Sequence, residues 1–225
     1  MPAPKTILIV AAHADDEALG CGGTIARHVD KGDTVHAVFM TDGVTSRQDS
    51  NSDDLNQRMA AASKAHKALG LKKIFHLGFP DNCMDSINLL DVVKELENLI
   101  QDVSPQVIYT HHHSDLNVDH CVTHQAVITA CRPVPGSRVR EIYGFEVLSS
   151  TEWASPCHQP FIPNVFVDIS DYLDRKLKAL KAYELEMRLP PHSRSLEHSE
   201  CMAKHRGFSI GVEAAEAFAA IRIIQ

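Results

Sequence analysis

Several features that would place a protein in a common class are missing from this chain of 225 residues. No apolar run approaches the roughly 20 residues that span a bilayer. The short apolar stretch at residues 6–12 has no signal-peptide layout, and we expect it to form a strand. The six cysteines are scattered without a CxxC pair, so we expect them to be reduced and structural. Together these absences predict a cytoplasmic protein with no membrane span.

An excess of positive charge is also missing, because the formal net charge is −7. Nonspecific binding to nucleic acid or to an anionic membrane is therefore not expected. What the sequence does contain in number is histidine, with 14 residues. Histidine is the commonest metal ligand and titrates near neutral pH. Their number alone does not show a metal site, so the function of these histidines must be inferred from their positions.

Strand-like and helix-like segments alternate along the chain. The continuous apolar run at residues 6–11 is typical of a strand that is covered on both faces. Further strands are predicted at 34–40, 74–77, 106–110, 142–147 and 165–168. Helices are predicted at 17–31, 53–69, 87–101, 118–131, 172–187, 196–204 and 214–218. This order predicts one α/β domain over residues 1–225, with a Rossmann-like, mostly parallel sheet and helices on both faces.

Four ionisable side chains follow the first predicted strand, where ligands of such sheets collect. The sequence there is Ala-His-Ala-Asp-Asp-Glu, residues 12–17. If a helix begins here, His13 and Asp16 lie on one face and can bind one metal ion. Asp15 is then free to accept a proton from a metal-bound water, and Glu17 can orient a ligand. The alternative is a helix N-terminus whose acids favour the helix dipole.

Glycines follow within the predicted first helix, in the sequence Gly-Cys-Gly-Gly at residues 20–23. They lack the GxGxxG spacing of a phosphate-binding loop, and they come after acids that would repel a phosphate. We therefore expect them to allow close packing of the helix against the sheet.

A second polar loop follows the strand at 106–110 and ends at His120. With His13 and Asp16, this histidine completes three protein ligands and leaves a position open for water, as in a catalytic zinc site. Taken alone, His120 is as well explained by capping or packing against a helix. The start of a dinuclear HxHxDH signature is also present at residues 111–116, but its sixth position is leucine. That signature belongs to a fold that begins with strands in a sandwich, which the strand–helix alternation disfavours.

Both constellations together resemble the LmbE/PIG-L family of zinc-dependent N-acetylglucosaminyl deacetylases. The family's first motif, (A/P)HPDDE, appears at residues 12–17, with Ala14 in place of proline. Its second motif, a loop that ends in Asp-His, appears at 115–120, and the resemblance extends through 77–81 and 175–188. It implies removal of the acetyl group from the amide of an N-acetylated amino sugar or sugar conjugate.

The resemblance also assigns roles by position. Zinc, or another divalent metal, would be held by His13, Asp16 and His120, and Asp15 would be the general base. Substrate binding is implied for Arg58 and Asp81, and Asp115 is placed where it can orient a ligand or contact the sugar. From the residues alone, Arg58 is equally consistent with a solvated helix face and Asp81 with a turn after Pro80.

One departure from the family leaves a role unassigned. Asn117 stands where many members carry a histidine, and an asparagine can bind an oxyanion or substrate but cannot protonate a leaving amine. Either Asp15 serves as both base and acid, or another group is the acid. We expect His192 to complete the site from the loop at 190–195, with Arg194 drawing in an anionic part of the substrate, and His113 is the other candidate. The alternative is that His192 is a solvated loop histidine.

Two other functions stay open to the sequence. A metal-dependent phosphoesterase would need more positive charge than this acidic site offers. A non-enzymatic ligand-binding protein that kept the fold would be favoured by the loss of Asp15 or of a ligand, and none is lost. The sequence decides neither which sugar conjugate is bound nor whether the chain forms a homo-oligomer.

Overall fold

The computed structural model describes residues 3–43 and 52–225. Within these ranges the chain forms one sheet of seven strands and six α-helices. The strands are β1 (Thr6–Ala11), β2 (Thr34–Thr41), β3 (Lys73–Phe79), β4 (Val107–His111), β5 (Glu141–Phe145), β6 (Val165–Asp168) and β7 (Ala215–Ile223). The helices are α1 (Asp16–Asp30), α2 (Ser52–Leu69), α3 (Leu89–Val103), α4 (Val118–Ala130), α5 (Leu173–Ala182) and α6 (Leu196–Phe208). In the described ranges, a helix with the length and apolar character to cross a bilayer is absent.

The strand order is β3-β2-β1-β4-β5-β7-β6. The first five strands are parallel, whereas β7 runs antiparallel to both β5 and β6. This confirms the predicted α/β fold with a mostly parallel sheet. From β1 the chain continues to β2 on one side, and β4 lies on the other, so the order reverses at β1 and β4. Ligands of open parallel sheets bind in the crevice at such a switch point.

Helices cover both faces of the sheet, as the continuous apolar run of β1 predicts. Ile7 and Ile9 pack in a core with residues of α1, α2 and α5. Leu8 and Val10 point to the opposite face and pack in a second core with residues of α3 and α4. Successive side chains of a strand alternate between faces, so a strand that is buried on both sides has no polar position.

Helix α1 lies against the sheet as closely as its glycines predict. A Cβ atom at Gly20 would stand 2.4 Å from Cδ2 of Phe145, and one at Gly23 would stand 2.7 Å from Cδ1 of Ile169. The helix is also broken at Cys21, which has φ −148° and ψ 24°. The interpretation of these glycines as packing residues is therefore confirmed.

The predicted helix at 214–218 is wrong, because this segment belongs to β7. Alanine and glutamate favour a helix locally, but pairing with both β5 and β6 overrides that preference. The strand places the buried Glu216 beneath the break in α1, where its oxygens accept the backbone N–H groups of Gly23 and Thr24 at 3.0 and 2.7 Å. Lys176 compensates its charge, with Nζ 2.5 Å from Oε1.

The helix predicted at 172–187 is also shorter than expected, since α5 ends at Ala182. Tyr183 leaves the helical conformation at φ −89° and ψ 43°, and its side chain is fully buried. The chain after it turns back towards the carboxyl end of β1, where Glu186 contacts Arg58. The early end of α5 thus brings C-terminal residues to the functional site.

Candidate metal centre

The three predicted metal ligands converge at the carboxyl ends of β1 and β4. His13 follows β1, Asp16 begins α1, and His120 lies in the first turn of α4. Nδ1 of His13 is 3.2 Å from Oδ2 of Asp16 and 3.3 Å from Nε2 of His120. The remaining pair, Nε2 of His120 and Oδ2 of Asp16, is also 3.3 Å apart. The three donor atoms therefore form a small triangle, and all three side chains that carry them are buried.

The dimensions of this triangle fit zinc. Ligand bonds of about 2.0–2.2 Å in a tetrahedron separate neighbouring donor atoms by about 3.3–3.6 Å, which is close to the observed edges. Two imidazoles and one carboxylate are donors that zinc accepts, and three protein ligands leave the fourth direction open. The residues present therefore suit a catalytic rather than a structural metal site.

A second group of possible ligands shares His13 but is already committed to hydrogen bonds. Nε2 of His13 lies 3.1 Å from Oδ2 of Asp119 and 3.2 Å from Oδ1 of Asp81. The two oxygens of Asp119 accept the backbone N–H groups of Asn82 and Met84 at 2.7 and 3.0 Å. These carboxylates accept the Nε2 proton of His13 and so turn the lone pair of Nδ1 towards the triangle. Of the two groups, His13, Asp16 and His120 are therefore the better suited to hold a metal ion.

The charges around the triangle also favour a cation. Burial opposes a charge on His120, but the nearby carboxylates of Asp16 and Asp115 raise its pKa to about 9. Burial likewise opposes a charge on His13, yet hydrogen bonds to Asp119, Asp16 and Asp81 raise its pKa well above its usual range. A bound dication would satisfy the same negative surroundings and would displace the protons of both imidazoles.

Asp115 holds His120 from the side away from the triangle. Its Oδ1 is 3.1 Å from Nδ1 of His120 and also accepts a hydrogen bond from the hydroxyl of Ser150, while Oδ2 accepts one from Thr151 at 2.6 Å. Burial alone would raise the pKa of Asp115, but His120 and the two hydroxyls hold it below its usual range. Of the two roles expected for Asp115, these contacts favour the orientation of a ligand over contact with the sugar.

His111 is committed to the backbone. Its Nε2 accepts the N–H of Ala12 at 2.8 Å, and its ring stacks on that of His120 with the centroids 3.8 Å apart. His113 is exposed, and its Nε2 donates to Oε1 of Gln159 at 2.9 Å. The histidines that begin the HxHxDH pattern therefore do not share a site, which agrees with the absence of a sandwich of strands in the described residues.

Asp15, the predicted base, is buried beside the triangle. Its Oδ2 accepts a hydrogen bond from Nη1 of Arg194 at 2.9 Å, whereas no hydrogen bond from the described residues reaches Oδ1. Burial raises the pKa of Asp15 to about 6, against the opposing effect of Arg194. A buried carboxylate whose pKa is raised, with one oxygen that has no donor among the described residues, is suited to take a proton.

Two arginines, Arg58 and Arg194, lie beside the carboxylate of Asp15. Arg58 is mostly covered rather than spread on a solvated helix face, with a side chain that is 10% exposed. It donates to Glu186 at 3.0 Å and to the carbonyl oxygen of Ala14 at 3.1 Å. Its Nη2 lies 3.8 Å from Oδ1 of Asp15. Arg194 donates through Nε to Ser149 at 2.8 Å and through Nη1 to Asp15. Substrate binding by Arg194 therefore stays a prediction that competes with its ion pair.

His192 lies outside the triangle but is connected to it. Its Nδ1 accepts the backbone N–H of Arg194 at 3.0 Å, and its exposed ring meets Trp153 edge to face at 5.7 Å. Arg194 in turn contacts Asp15, so His192 is connected to the predicted base through one residue. His192 lines a cavity with Trp153 and His198, and His113 lines another with His124; the lining of neither cavity includes Asp15 or a residue of the triangle. The acid role stays a prediction for both histidines.

Asn117 has a structural task that explains its presence. Its Oδ1 accepts the backbone N–H of Asp119 at 2.8 Å and so caps the N-terminus of α4. Its Nδ2 donates to Oδ1 of Asn82 at 3.0 Å. The side chain thereby fixes the helical turn that carries His120, since a capped N-terminus begins at a defined residue.

Several contacts of the site had no signal in the sequence. Ser149, Ser150 and Thr151 reach Arg194 and Asp115 from the loop after β5, and they lie in no motif. The position of this loop, after the strand next to β4, is the one feature that places it near the site. The contact between Tyr183 and Glu17, 2.7 Å long, joins segments far apart in the chain and was missed as well.

Comparison with known proteins points to one family. Residues 8–131 match the family model described as PIG-L: GlcNAc-PI de-N-acetylase, and this range runs from β1 to the end of α4. The protein named uncharacterized deacetylase YaiS, from Escherichia coli, is 36% identical over an alignment of 186 residues that covers 80% of this chain and 91% of that protein. Diacetylchitobiose deacetylase from Thermococcus kodakarensis is 30% identical over 80% of this chain and 69% of that protein.

A solved structure agrees over nearly the whole chain. A conserved protein from Thermus thermophilus superposes with a TM-score of 0.80 at 25% sequence identity, covering 98% of this chain and 96% of that one. The similarity therefore extends beyond the residues of the family model to the C-terminal segment that carries Tyr183 and Arg194.

Proposed function

The chain belongs to the PIG-L family, and from that membership we propose that it is a zinc-dependent hydrolase that removes the acetyl group from an N-acetylated amino sugar or sugar conjugate. The observation that carries the proposal is the triangle of donor atoms from His13, Asp16 and His120 beside the buried carboxylate of Asp15. The substrate class is supported by the relative named as a diacetylchitobiose deacetylase.

Zinc held by His13, Asp16 and His120 would polarise the amide carbonyl and lower the pKa of a water molecule. Asp15 takes a proton from the attacking water as the water oxygen forms its bond to the carbonyl carbon. Oδ2 of Asp15 already accepts a hydrogen bond from Arg194, so Oδ1 is the oxygen that accepts this proton. The carbon–nitrogen bond then breaks, the amine leaves with a proton, and the products are acetate and a free amino sugar.

Within this proposal, His192 supplies the proton of the leaving amine. It does so as the imidazolium, which gives up one proton and becomes the neutral ring. The neutral ring is the form whose Nδ1 accepts the backbone N–H of Arg194, so this hydrogen bond is absent while the ring is protonated and forms when the proton has left. Its neighbour Arg194 contacts the base. We expect His192→Ala to lower turnover and to remove the basic limb of the rate profile, since general acids contribute about a hundredfold or more. His113→Ala serves as the comparison. If His113→Ala removes the limb while His192→Ala leaves it intact, His113 is the acid.

The proposed reaction is tested by acetate release from a panel of N-acetylated sugars. The panel contains N-acetylglucosamine, diacetylchitobiose and N-acetylglucosamine linked to a nucleotide or to a lipid, with the chelated protein as the control. We expect one acetate for each amine formed, and loss of release on chelation. A protein that releases phosphate from a phosphoester and no acetate from the panel would contradict the proposal. We do not expect that result, because Arg58 and Arg194 are both already paired with carboxylates.

A further inference from the structure

The backbone of Asp15 adopts an uncommon conformation for a residue with a side chain. Its φ is 130° and its ψ is −27°, in a region that favours glycine. A residue persists there when surrounding contacts fix it, and such residues cluster at functional sites. Its carbonyl oxygen accepts the N–H groups of Ala18 and Leu19 as α1 begins, and its own N–H donates to Oε2 of Glu17 at 3.0 Å, so a side chain holds the amide side of this residue.

Glu17 is in turn held by a residue from the other end of the chain. Its side chain is fully buried, and its second oxygen, Oε1, accepts the hydroxyl of Tyr183 at 2.7 Å. Nε2 of His66 lies 3.4 Å from the same oxygen. The carboxylate thus has one donor on each oxygen and forms a bridge between the Tyr183 hydroxyl and the Asp15 amide. Its two oxygens face these donors, so Glu17 does not belong to the metal triangle.

Tyr183 is anchored where it can hold this bridge rigidly. It follows α5, and its ring is fully buried in the core that α1, α2 and α5 form against the sheet. Burial, reinforced by Glu17, raises the pKa of Tyr183 well above its usual range. The hydroxyl therefore stays protonated and donates a hydrogen bond to Glu17. The C-terminal third of the chain is in this way connected to the first loop.

We propose that Tyr183 is a positioning residue, which acts through Glu17 to fix the backbone of Asp15 and thereby the direction of its carboxylate. The role of Asp15 as base rests on the proposed function, whereas the hydrogen-bond chain rests on the observed contacts. A base that is displaced by about 1 Å can lose on the order of a hundredfold in rate. Tyr183 therefore contributes to turnover although it touches neither metal nor substrate.

The first test is Tyr183→Phe, which removes the hydroxyl and keeps the ring in the core. We expect kcat to fall roughly ten- to a hundredfold, with KM and zinc content unchanged, since Asp15 alone is displaced. The matched control is Tyr143→Phe, because Tyr143 also packs in this core and also donates to a glutamate, Glu141, at 2.8 Å. We expect the control to keep its kcat. Equal losses in the two variants, or none in Tyr183→Phe, would overturn the proposal.

A double-mutant cycle tests whether the effect passes through Glu17. In Glu17→Ala the Asp15 N–H and the Tyr183 hydroxyl both lose their acceptor, so the connection between Tyr183 and Asp15 is already broken. Removal of the hydroxyl then breaks no further contact with Asp15. We expect the double variant Glu17→Ala, Tyr183→Phe to be at least as active as Glu17→Ala alone. Losses that multiply would show that the two residues act independently.

A readout without turnover separates this proposal from the proposed reaction. Hydrogen exchange of the Asp15 amide, followed by NMR, should be faster in Tyr183→Phe than in the wild type and unchanged in Tyr143→Phe. If the wild type releases no acetate but the exchange responds in this way, the reaction is wrong and the positioning role stands. If acetate is released and the Asp15 exchange does not respond, the positioning role is wrong and the reaction stands.

Discussion

The Asp15→Asn variant should keep its zinc and lose about a hundredfold to ten-thousandfold in turnover, the range that general bases contribute. The amide preserves the shape of the side chain and can still accept the hydrogen bond from Arg194. It cannot take a proton from water, however, because an amide oxygen is far too weak a base. Asp15 also lies outside the donor triangle, so its replacement removes no metal ligand.

Turnover and zinc content must be measured on the same preparation, because a loss of metal would imitate the loss of a base. Asp33→Asn is a suitable control, since Asp33 accepts hydrogen bonds from Lys5 and His28 before β2, at the opposite end of the sheet from the site. We expect this control to be as active as the wild type. Near-normal turnover of Asp15→Asn with a full complement of zinc would show that another group activates the water.

The local part of the site could be predicted because its information lies in short segments. His13 and Asp16 follow directly after a strand that is apolar from Ile7 to Ala11, so the sequence places both at the carboxyl end of β1. The shared helix face expected for them is wrong, because α1 begins only at Asp16 and a turn, in which the N–H of Asp16 donates to the carbonyl oxygen of His13, brings the two side chains together. His120 required a further argument, since nothing in its own segment decides between ligation and packing. The reversal of strand order between β1 and β4 is what brings the two segments together.

The supporting contacts could not be predicted because they join distant segments. Tyr183 meets Glu17 and Thr151 meets Asp115 across the fold, and neither pair has a spacing that local periodicity can detect. The error at β7 has a related cause. Its alanines and glutamate favour a helix, and only the two neighbouring strands make it extended. Long-range pairing thus determined what the sequence patterns left undecided.

Asn117 stands at the position of a family histidine but caps a helix. The comparison with the family motif identified it as a missing histidine, whereas the structure gives it a helix cap at the start of α4. The cap orients the turn that carries His120, so the residue contributes to the site through the backbone. The proton for the leaving amine must come from elsewhere, which is why His192 carries that role in the proposed reaction.

The second large effect is expected for His120→Ala, which should lose most of its affinity for zinc. His13 and Asp16 would remain, and two ligands seldom hold zinc in an open site. The loss should exceed the roughly 10- to 100-fold that removal of an outer hydrogen-bond partner costs. His124→Ala is the matched control, because His124 lies one turn further along α4 and donates through Nδ1 to the backbone of His111.

The zinc affinity of these variants, measured by competition with a chelator and checked by metal content per chain, tests the metal centre most directly. We predict one zinc ion per chain in the wild type and in His124→Ala, held with similar affinity, and a loss of more than a hundredfold in affinity in His120→Ala. Unchanged affinity and full zinc occupancy in His120→Ala would contradict the assignment of the metal to His13, Asp16 and His120.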